Sequence, residues 1–251
     1  MAKYSQIAVI TGASSGIGEA TACKLAADGW HVVLLARSKS KLLKIKQDMR
    51  KQTYQVSVLE CDLANDISVN KAIQKISQEI GVVSVLINNA GFGGEFLKLE
   101  KLSIDEWDYT FNVNVRAAFL LCRALLPGMR KQKFGRIIHV SSILGITGSS
   151  DSSAYIASKH AMVGLSKAIA AEYGEFNITS NAICPGYIDT PMLEGCKFDN
   201  AFFNRIPMRR MGTPEEMADF ISFLCHQNSH YINGSILVAD GGLTATTGIN
   251  L

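Results

Sequence analysis

The chain has no long apolar run, no paired cysteines and no large excess of either charge, and each absence removes a class of protein. The longest apolar stretch, Ala117 to Leu126, is interrupted by Arg123. It falls far short of the ~20 residues a membrane span needs and reads as a buried helix. The first residues, Met-Ala-Lys-Tyr-Ser-Gln, carry no basic region followed by a long apolar one. No secretory leader or membrane attachment is expected, and the expected compartment is the cytoplasm. Cys23, Cys61, Cys122, Cys184, Cys196 and Cys225 form no CxxC pair, so free, mostly buried thiols are expected rather than a disulfide framework. The net charge is +3 with scattered basic residues, which argues against nucleic acid as a partner. His226 and His230 stand four apart, without an HExxH pattern or a third ligand nearby, so no metal is expected. Internal repeats and low-complexity linkers are also missing.

What is present is enough for a large core: 251 residues, 47% apolar and 19% charged. Short β-branched runs alternate with helical patterns. The expected strands are 7–11, 31–36, 55–60, 82–88, 136–141, 178–184 and 235–239. Helices are expected to start near Gly16, Ser40, Asp66, Ser103, Ser153 and Thr213. This alternation predicts an α/β fold, a doubly wound parallel sheet of seven strands with helices on both faces. The strands are nearly all apolar, as a sheet covered on both sides requires. His139, in one of these strands, reads as structural. The irregular stretch from Gly186 to Gly212, with Pro191 and Pro207 and the segment Met208-Arg209-Arg210-Met211, follows the sixth strand. It is expected to be a substrate lid at about 187–212 on a single domain spanning 1–251.

The first strand runs into Thr11-Gly12-Ala13-Ser14-Ser15-Gly16-Ile17-Gly18, and a helix follows at once. Glycines let a backbone turn tightly against a pyrophosphate, and a helix N-terminus offers N–H groups and a favourable dipole. The second strand ends in Ala36-Arg37-Ser38. An acid at that strand end would bond ribose hydroxyls and repel a 2′-phosphate; here the acid is absent and Arg37 can pair with the phosphate. Arg37 can also be a solvated loop charge. Further on stand Cys61-Asp62-Leu63, Asn88-Asn89-Ala90-Gly91 and Pro185-Gly186-Tyr187-Ile188-Asp189-Thr190.

Tyr155-Ile156-Ala157-Ser158-Lys159 puts a phenol and an ammonium on one helix face. A unit charge about 4 Å away at an effective dielectric of ~20 favours phenolate by roughly 4 kcal/mol. That would bring the tyrosine from ~10 to near neutrality, where it suits general acid–base work. Thirteen residues upstream stands Ser142, with Ser141 beside it as a competitor. The stretch from Trp107 holds Asn114, with Asn112 as the alternative.

Taken together, the glycine turn, the strand-end Asp, NNAG, the Ser–Tyr–Lys–Asn set and the PGxxxT-like segment resemble the short-chain dehydrogenase/reductase family. The match is to its single-domain short branch and runs from about residue 5 to 245. The resemblance implies a Rossmann-like fold and hydride transfer between a nicotinamide cofactor and a carbonyl or hydroxyl carbon. It implies Ser142, Tyr155, Lys159 and Asn114 as catalytic residues, with Asn114 holding a water that links Lys159 to solvent. It implies cofactor contacts from Gly12, Ser14, Ser15, Gly16, Ile17, Gly18, Arg37, Ser38, Asp62, Leu63, Asn89, Ala90, Gly91, Tyr155, Lys159, Pro185, Gly186, Ile188 and Thr190. Asp62 would accept from the adenine amino group, and NNAG would stabilise the sheet beside the ribose. NADP(H) is favoured over NAD(H), although Ser15 stands where many NADP-specific members carry a second basic residue.

The segments Ile206 to Glu216 and Val238 to Gly242 look like those of 3-oxoacyl-(acyl-carrier-protein) reductases. That resemblance implies an acyl-thioester or related small-molecule ketone, with acyl carrier protein as a candidate partner. An acidic carrier protein would be met by basic residues at the site mouth, for which Arg130, Lys131 and Lys133 are candidates. Glu175 stands where those reductases often place another basic residue. Relatives with the same signature act on alcohols, sugars or steroids, and a cofactor-sensing regulator is the reading from another class. The resemblance also implies a homotetramer, with the apolar tail Leu243 to Leu251 as a possible contributor.

Overall fold

A computed structural model describes residues 6–52 and 54–246. Residues 1–5 and the last part of the apolar tail, 247–251, lie outside the described residues. In chain order the elements are β1 (Ile7–Thr11), α1 (Gly16–Ala27), β2 (His31–Ala36), α2 (Lys39–Arg50), β3 (Val56–Glu60), α3 (Asp66–Lys75), β4 (Val85–Asn88), α4 (Ile104–Phe111), α5 (Ala117–Gln132), β5 (Gly135–Val140), α6 (Ser153–Tyr173), β6 (Ile178–Pro185), α7 (Asn200–Asn204), α8 (Pro214–Cys225) and β7 (Ile236–Ala239).

The seven strands form one parallel sheet in the order β3-β2-β1-β4-β5-β6-β7. Side chains alternate between its faces, and two cores result. Ile10, Leu34, Ile87, Ile138 and Ile183 pack toward α1, α2 and α8, whose Leu25, Leu42, Ile221 and Leu224 are buried there. Val9, Val33, Leu86 and Ile137 pack toward α3, α5 and α6 through Val69, Leu121, Met129 and Ile169. The chain steps outward from β1 to β3, returns, and starts again at β4 on the other side of β1. That reversal opens a crevice beyond the carboxyl ends of β1 and β4, where ligands of such sheets sit.

Caps set several helix starts within a residue of the expected positions. Ser38 Oγ accepts from Lys41 N at 3.4 Å at the head of α2. Asn65 accepts from Ile67 N and Ser68 N at the head of α3. Thr213 and Glu216 form a reciprocal capping box at the head of α8. Three expectations need correction. The strand expected from residue 82 begins at Val85. The long helix expected from Ser103 is two helices, α4 and α5, joined by a π-turn over Asn112–Arg116. The irregular stretch after β6 contains the short helix α7, capped by Asp199 Oδ1 on Phe202 N at 2.8 Å.

Candidate active site

The turn after β1 is tied to the end of β4. Thr11 Oγ1 accepts from the backbone N–H groups of Asn89 and Ala90, both at 3.0 Å, and donates to the Ile87 carbonyl at 3.2 Å. Asn89 Nδ2 donates to the carbonyls of Thr11 at 2.9 Å and Gly12 at 3.3 Å. The glycines are needed for this closeness. Gly12 has φ +65°, and a Cβ there would lie 2.8 Å from Ala90 Cα. A Cβ on Gly18 would strike the Gly12 carbonyl. Ser15 is the N-cap of α1 and makes no side-chain cap hydrogen bond, so no side chain closes the N-terminus that faces this turn. Thr190 arrives from β6: a Cβ on Gly16 would lie 3.0 Å from Thr190 Cγ2. The glycine turn, NNAG and Thr190 therefore meet in space. An uncapped helix start behind a backbone cradle fits a pyrophosphate.

Around this cradle, Asp62 Oδ1 accepts from Ala64 N at 3.1 Å, and Asp62 N donates to Ser68 Oγ at 2.9 Å, forming a turn after β3. Leu63, Thr11, Asn88, Ala90, Val113 and Asn114 line a water-sized cavity at the heads of β1 and β4. Arg37 is exposed after β2 and donates from Nη1 to the Tyr109 hydroxyl at 3.2 Å.

The Ser–Tyr–Lys–Asn residues gather beyond β5. Lys159 Nζ donates to the Val140 carbonyl at 2.8 Å and lies 5.4 Å from the centre of the Tyr155 ring. Ser142 acts on the Tyr155 phenol, lowering it, and Ser142 Oγ accepts from Leu144 N at 3.1 Å. Ser141 faces the other way. It is buried and donates to the Lys159 carbonyl at 2.9 Å. Asn114 sits in the π-turn, a distortion that helices often carry at functional sites. Its Oδ1 accepts from Phe92 N at 2.7 Å, and its Nδ2 donates to the Phe92 carbonyl at 3.0 Å and to Ser158 Oγ at 2.9 Å. Ser158 Oγ in turn donates to the Tyr155 carbonyl at 2.7 Å. Asn112 lies in the same turn and makes none of these bonds.

The electrostatics differ from the expectation of a tyrosine titrating near neutrality. Burial pushes the Tyr155 phenol above its ordinary value, against Ser142, whose hydroxyl pulls it down. Burial also brings the Lys159 ammonium down to about 8, against Cys184, which raises it. The ammonium is spent on a carbonyl and lies over the ring, so desolvation outweighs attraction. His139, fully buried in β5, is brought down to about 3 by burial and then by Lys159. It stays neutral, with Nδ1 3.4 Å from Asn88 Nδ2.

A second correction concerns Arg130, Lys131 and Lys133. They lie at the end of α5 and just before β5, at the amino edge of the sheet. Ser142 and Tyr155 follow the carboxyl edge, the length of β5 away. Within one chain the basic residues therefore do not flank the site. Arg130 instead covers the Phe176 ring at 5.6 Å.

The stretch 187–212 is pinned at both ends. Asp189 N donates to the Gly212 carbonyl and Gly212 N to the Tyr187 carbonyl, each at 3.0 Å. Between them Tyr187 meets Phe198 and Phe202 edge to face, and Phe198 lies tilted against Phe202, with ring centres 4.4–5.8 Å apart. Phe92, Tyr109, Val140, Ser141 and Ser158 carry no sequence signal for their places here, because each acts through a backbone group or a distant partner.

Residues 12–244 match the family model described as enoyl-(acyl carrier protein) reductase. The chain is a short-chain dehydrogenase/reductase. This short-chain dehydrogenase/reductase is 35% identical over 240 residues to a 3-oxoacyl-(acyl-carrier-protein) reductase of Thermotoga maritima, covering 95% of this chain and 97% of that one. It is 37% identical over 249 residues to 2-(R)-hydroxypropyl-CoM dehydrogenase of Xanthobacter autotrophicus, covering 96% and 99%. Its fold superposes on levodione reductase with a TM-score of 0.92 at 32% identity, covering 96% and 98%. It also superposes on an actinorhodin polyketide ketoreductase variant with NADPH, with a TM-score of 0.90 at 27% identity, covering 98% and 99%. As a short-chain dehydrogenase/reductase the protein is an NAD(P)-dependent oxidoreductase.

Proposed function

We propose that this enzyme uses NADP(H) to reduce a carbonyl, a 3-oxoacyl thioester or related ketone, to a hydroxyl. The observation that carries the reading is the Lys159 ammonium 5.4 Å from the centre of the Tyr155 ring, with Ser142 acting on the same phenol, beside the glycine cradle. Gly12, Ser14 to Gly18, Asn89 to Gly91 and Thr190 would hold the dinucleotide. Asp62 and Leu63 would take its adenine end, Arg37 and Ser38 a 2′-phosphate, and Pro185, Gly186 and Ile188 its nicotinamide end. Ala36 at the end of β2 puts no carboxylate against that phosphate, and one superposed relative is described with NADPH. When bound, the cofactor supplies the hydride for the carbonyl carbon.

The chain's own residues handle the oxygen. The hydroxyls of Ser142 and Tyr155 hold the carbonyl oxygen between them. Burial keeps the phenol protonated at neutral pH, so Tyr155 is poised as the acid that protonates this oxygen in the reductive direction. Lys159 favours the phenolate left behind. Asn114 fixes Phe92 after β4 and, through Ser158, the backbone of Tyr155. The whole chain acts as one catalytic domain, and the pinned stretch 187–212 serves as the substrate lid. With the basic residues at the far edge of the sheet, the reading rests on the thioester or ketone itself, not on carrier-protein docking to one chain.

The test is oxidation of NADPH, compared with NADH, in the presence of an acetoacetyl thioester and simple ketones. Turnover with NADPH that Tyr155→Phe abolishes, while cofactor affinity stays within about twofold, is the expected outcome. Full turnover by Tyr155→Phe would remove the assignment.

A further inference from the structure

The Arg37–Tyr109 hydrogen bond joins two elements that are not neighbours. Arg37 follows β2. Tyr109 belongs to α4, which stands over the segment after β4. In the sheet β1 lies between β2 and β4, so the bond of 3.2 Å crosses the head of β1 beside the glycine turn. Strands two places apart are separated by roughly 10 Å, a gap that only a long side chain bridges.

The phenol end of this bridge is fixed from below. The Tyr109 ring meets the Phe92 ring edge to face at 4.9 Å and 85°. Phe92 is clamped by both its backbone groups to Asn114, which is 1% exposed. The arginine end is mobile by nature, with four rotatable side-chain bonds and no ion pair among the described residues. Tyr109 thus ties a flexible cation to a rigid post. A guanidinium carries five N–H donors in a planar fork, and the phenol takes one of them. The remaining donors are left for a bidentate acceptor such as a phosphate.

We propose that Tyr109 is a cofactor-selecting residue: its hydroxyl holds the Arg37 guanidinium over the adenosine end of the cleft, pre-arranged for a phosphate on the 2′ carbon. The inference rests on the reading of Arg37 as the phosphate partner and adds the residue that positions it. Ordering a long side chain before the ligand arrives lowers the entropic cost of binding. NAD lacks the phosphate and draws no benefit from the tether.

Calorimetric titration of the purified enzyme with NADP⁺ and with NAD⁺ tests this without turnover. Tyr109→Phe keeps the ring contact with Phe92 and removes only the hydroxyl, so its melting temperature should match the parent's. NADP⁺ affinity should fall about three- to tenfold, with NAD⁺ affinity unchanged within about twofold. In an Arg37→Ala background the same change should have no further effect. Equal losses for both cofactors, no loss, or tighter NADP⁺ binding would each overturn the role of Tyr109. Should Arg37→Ala itself leave the NADP⁺ to NAD⁺ ratio untouched, the underlying reading of Arg37 fails, and that outcome is visible separately.

Discussion

Lys159 and Tyr155 share a helix face, but the ammonium donates to the Val140 carbonyl at 2.8 Å and covers the phenol ring at 5.4 Å from its centre. Burial favours the neutral form of both: it raises the phenol and brings the ammonium down to about 8. The tyrosine is therefore protonated at neutral pH, and the lysine is the group that titrates within reach of ordinary assays.

A first consequence concerns the pH–rate profile. The cation that favours the phenolate is lost as pH rises through about 8. For the reductive direction kcat/KM should fall on an alkaline limb near that value. Lys159→Arg keeps its charge at every accessible pH. Its turnover should be lower, because a planar fork replaces a compact ammonium, and the alkaline limb should move upward or vanish. An unmoved limb would place that titration on another group.

Stability should carry the same signature with a defined sign. The folded lysine loses its proton near 8, and the unfolded one near 10.5. Between those values the unfolded chain binds more protons, so this group's contribution to stability rises with pH. Below about 8 both states are charged and the burial cost is fully present. The buried thiols, raised by desolvation, and Tyr155 push the opposite way above about pH 9, so the useful quantity is a difference. Relative to Lys159→Met, the parent should gain up to about 3 kcal/mol from pH 8 to 10.5, at ~1.36 kcal/mol for each unit of pKa difference. Urea unfolding of the two proteins across that window reads it directly.

The two adjacent serines separate by partner. Ser142 lowers the Tyr155 phenol, whereas Ser141 is buried and donates to the Lys159 carbonyl. Ser142→Ala should lower kcat by about 10²-fold with little change in melting temperature, as loss of one donor to a developing oxyanion does. Ser141→Ala should cost about 1 kcal/mol of stability, the net worth of a buried hydrogen bond, with a smaller effect on turnover. The paired measurement is kcat and thermal unfolding on both variants, and a reversed pattern would exchange their roles.

What the sequence made legible follows the range of the interaction that fixes it. The apolar runs marked the strands, because burial on both faces needs near-continuous hydrophobicity. Gly12, Gly16 and Gly18 marked the cradle, because contacts that close tolerate no side chain. The fourfold spacing of Tyr155 and Lys159 marked their shared face but not the ammonium's partner, since Val140 comes from β5. The break at Asn112–Arg116 leaves no mark in the sequence, because it holds no glycine or proline and no side-chain cap. Arg130, Lys131 and Lys133 were misplaced because a charge cluster carries no information about which edge of the sheet its helix reaches.

Asn114 gives the last prediction, and it separates a clamp from a mere helix residue. Its amide satisfies both backbone groups of Phe92 and the Ser158 hydroxyl from a nearly closed site. Asn114→Leu would leave a backbone N–H and carbonyl without these partners, at about 1–3 kcal/mol for a buried group. It would also release the segment after β4, which carries Gly91 close to Lys159 Nζ, where a Cβ would lie 3.3 Å away. Stability should fall by about 2–3 kcal/mol and kcat more than KM, because the loss falls on the groups that hold Tyr155 and Lys159. Asn114→Asp, which keeps Oδ1 as acceptor for Phe92 N but cannot donate to the Phe92 carbonyl or Ser158, should lie between the two in both measurements. If Asn114→Leu matches the parent in unfolding and in kcat, the clamp plays no part in the catalytic geometry.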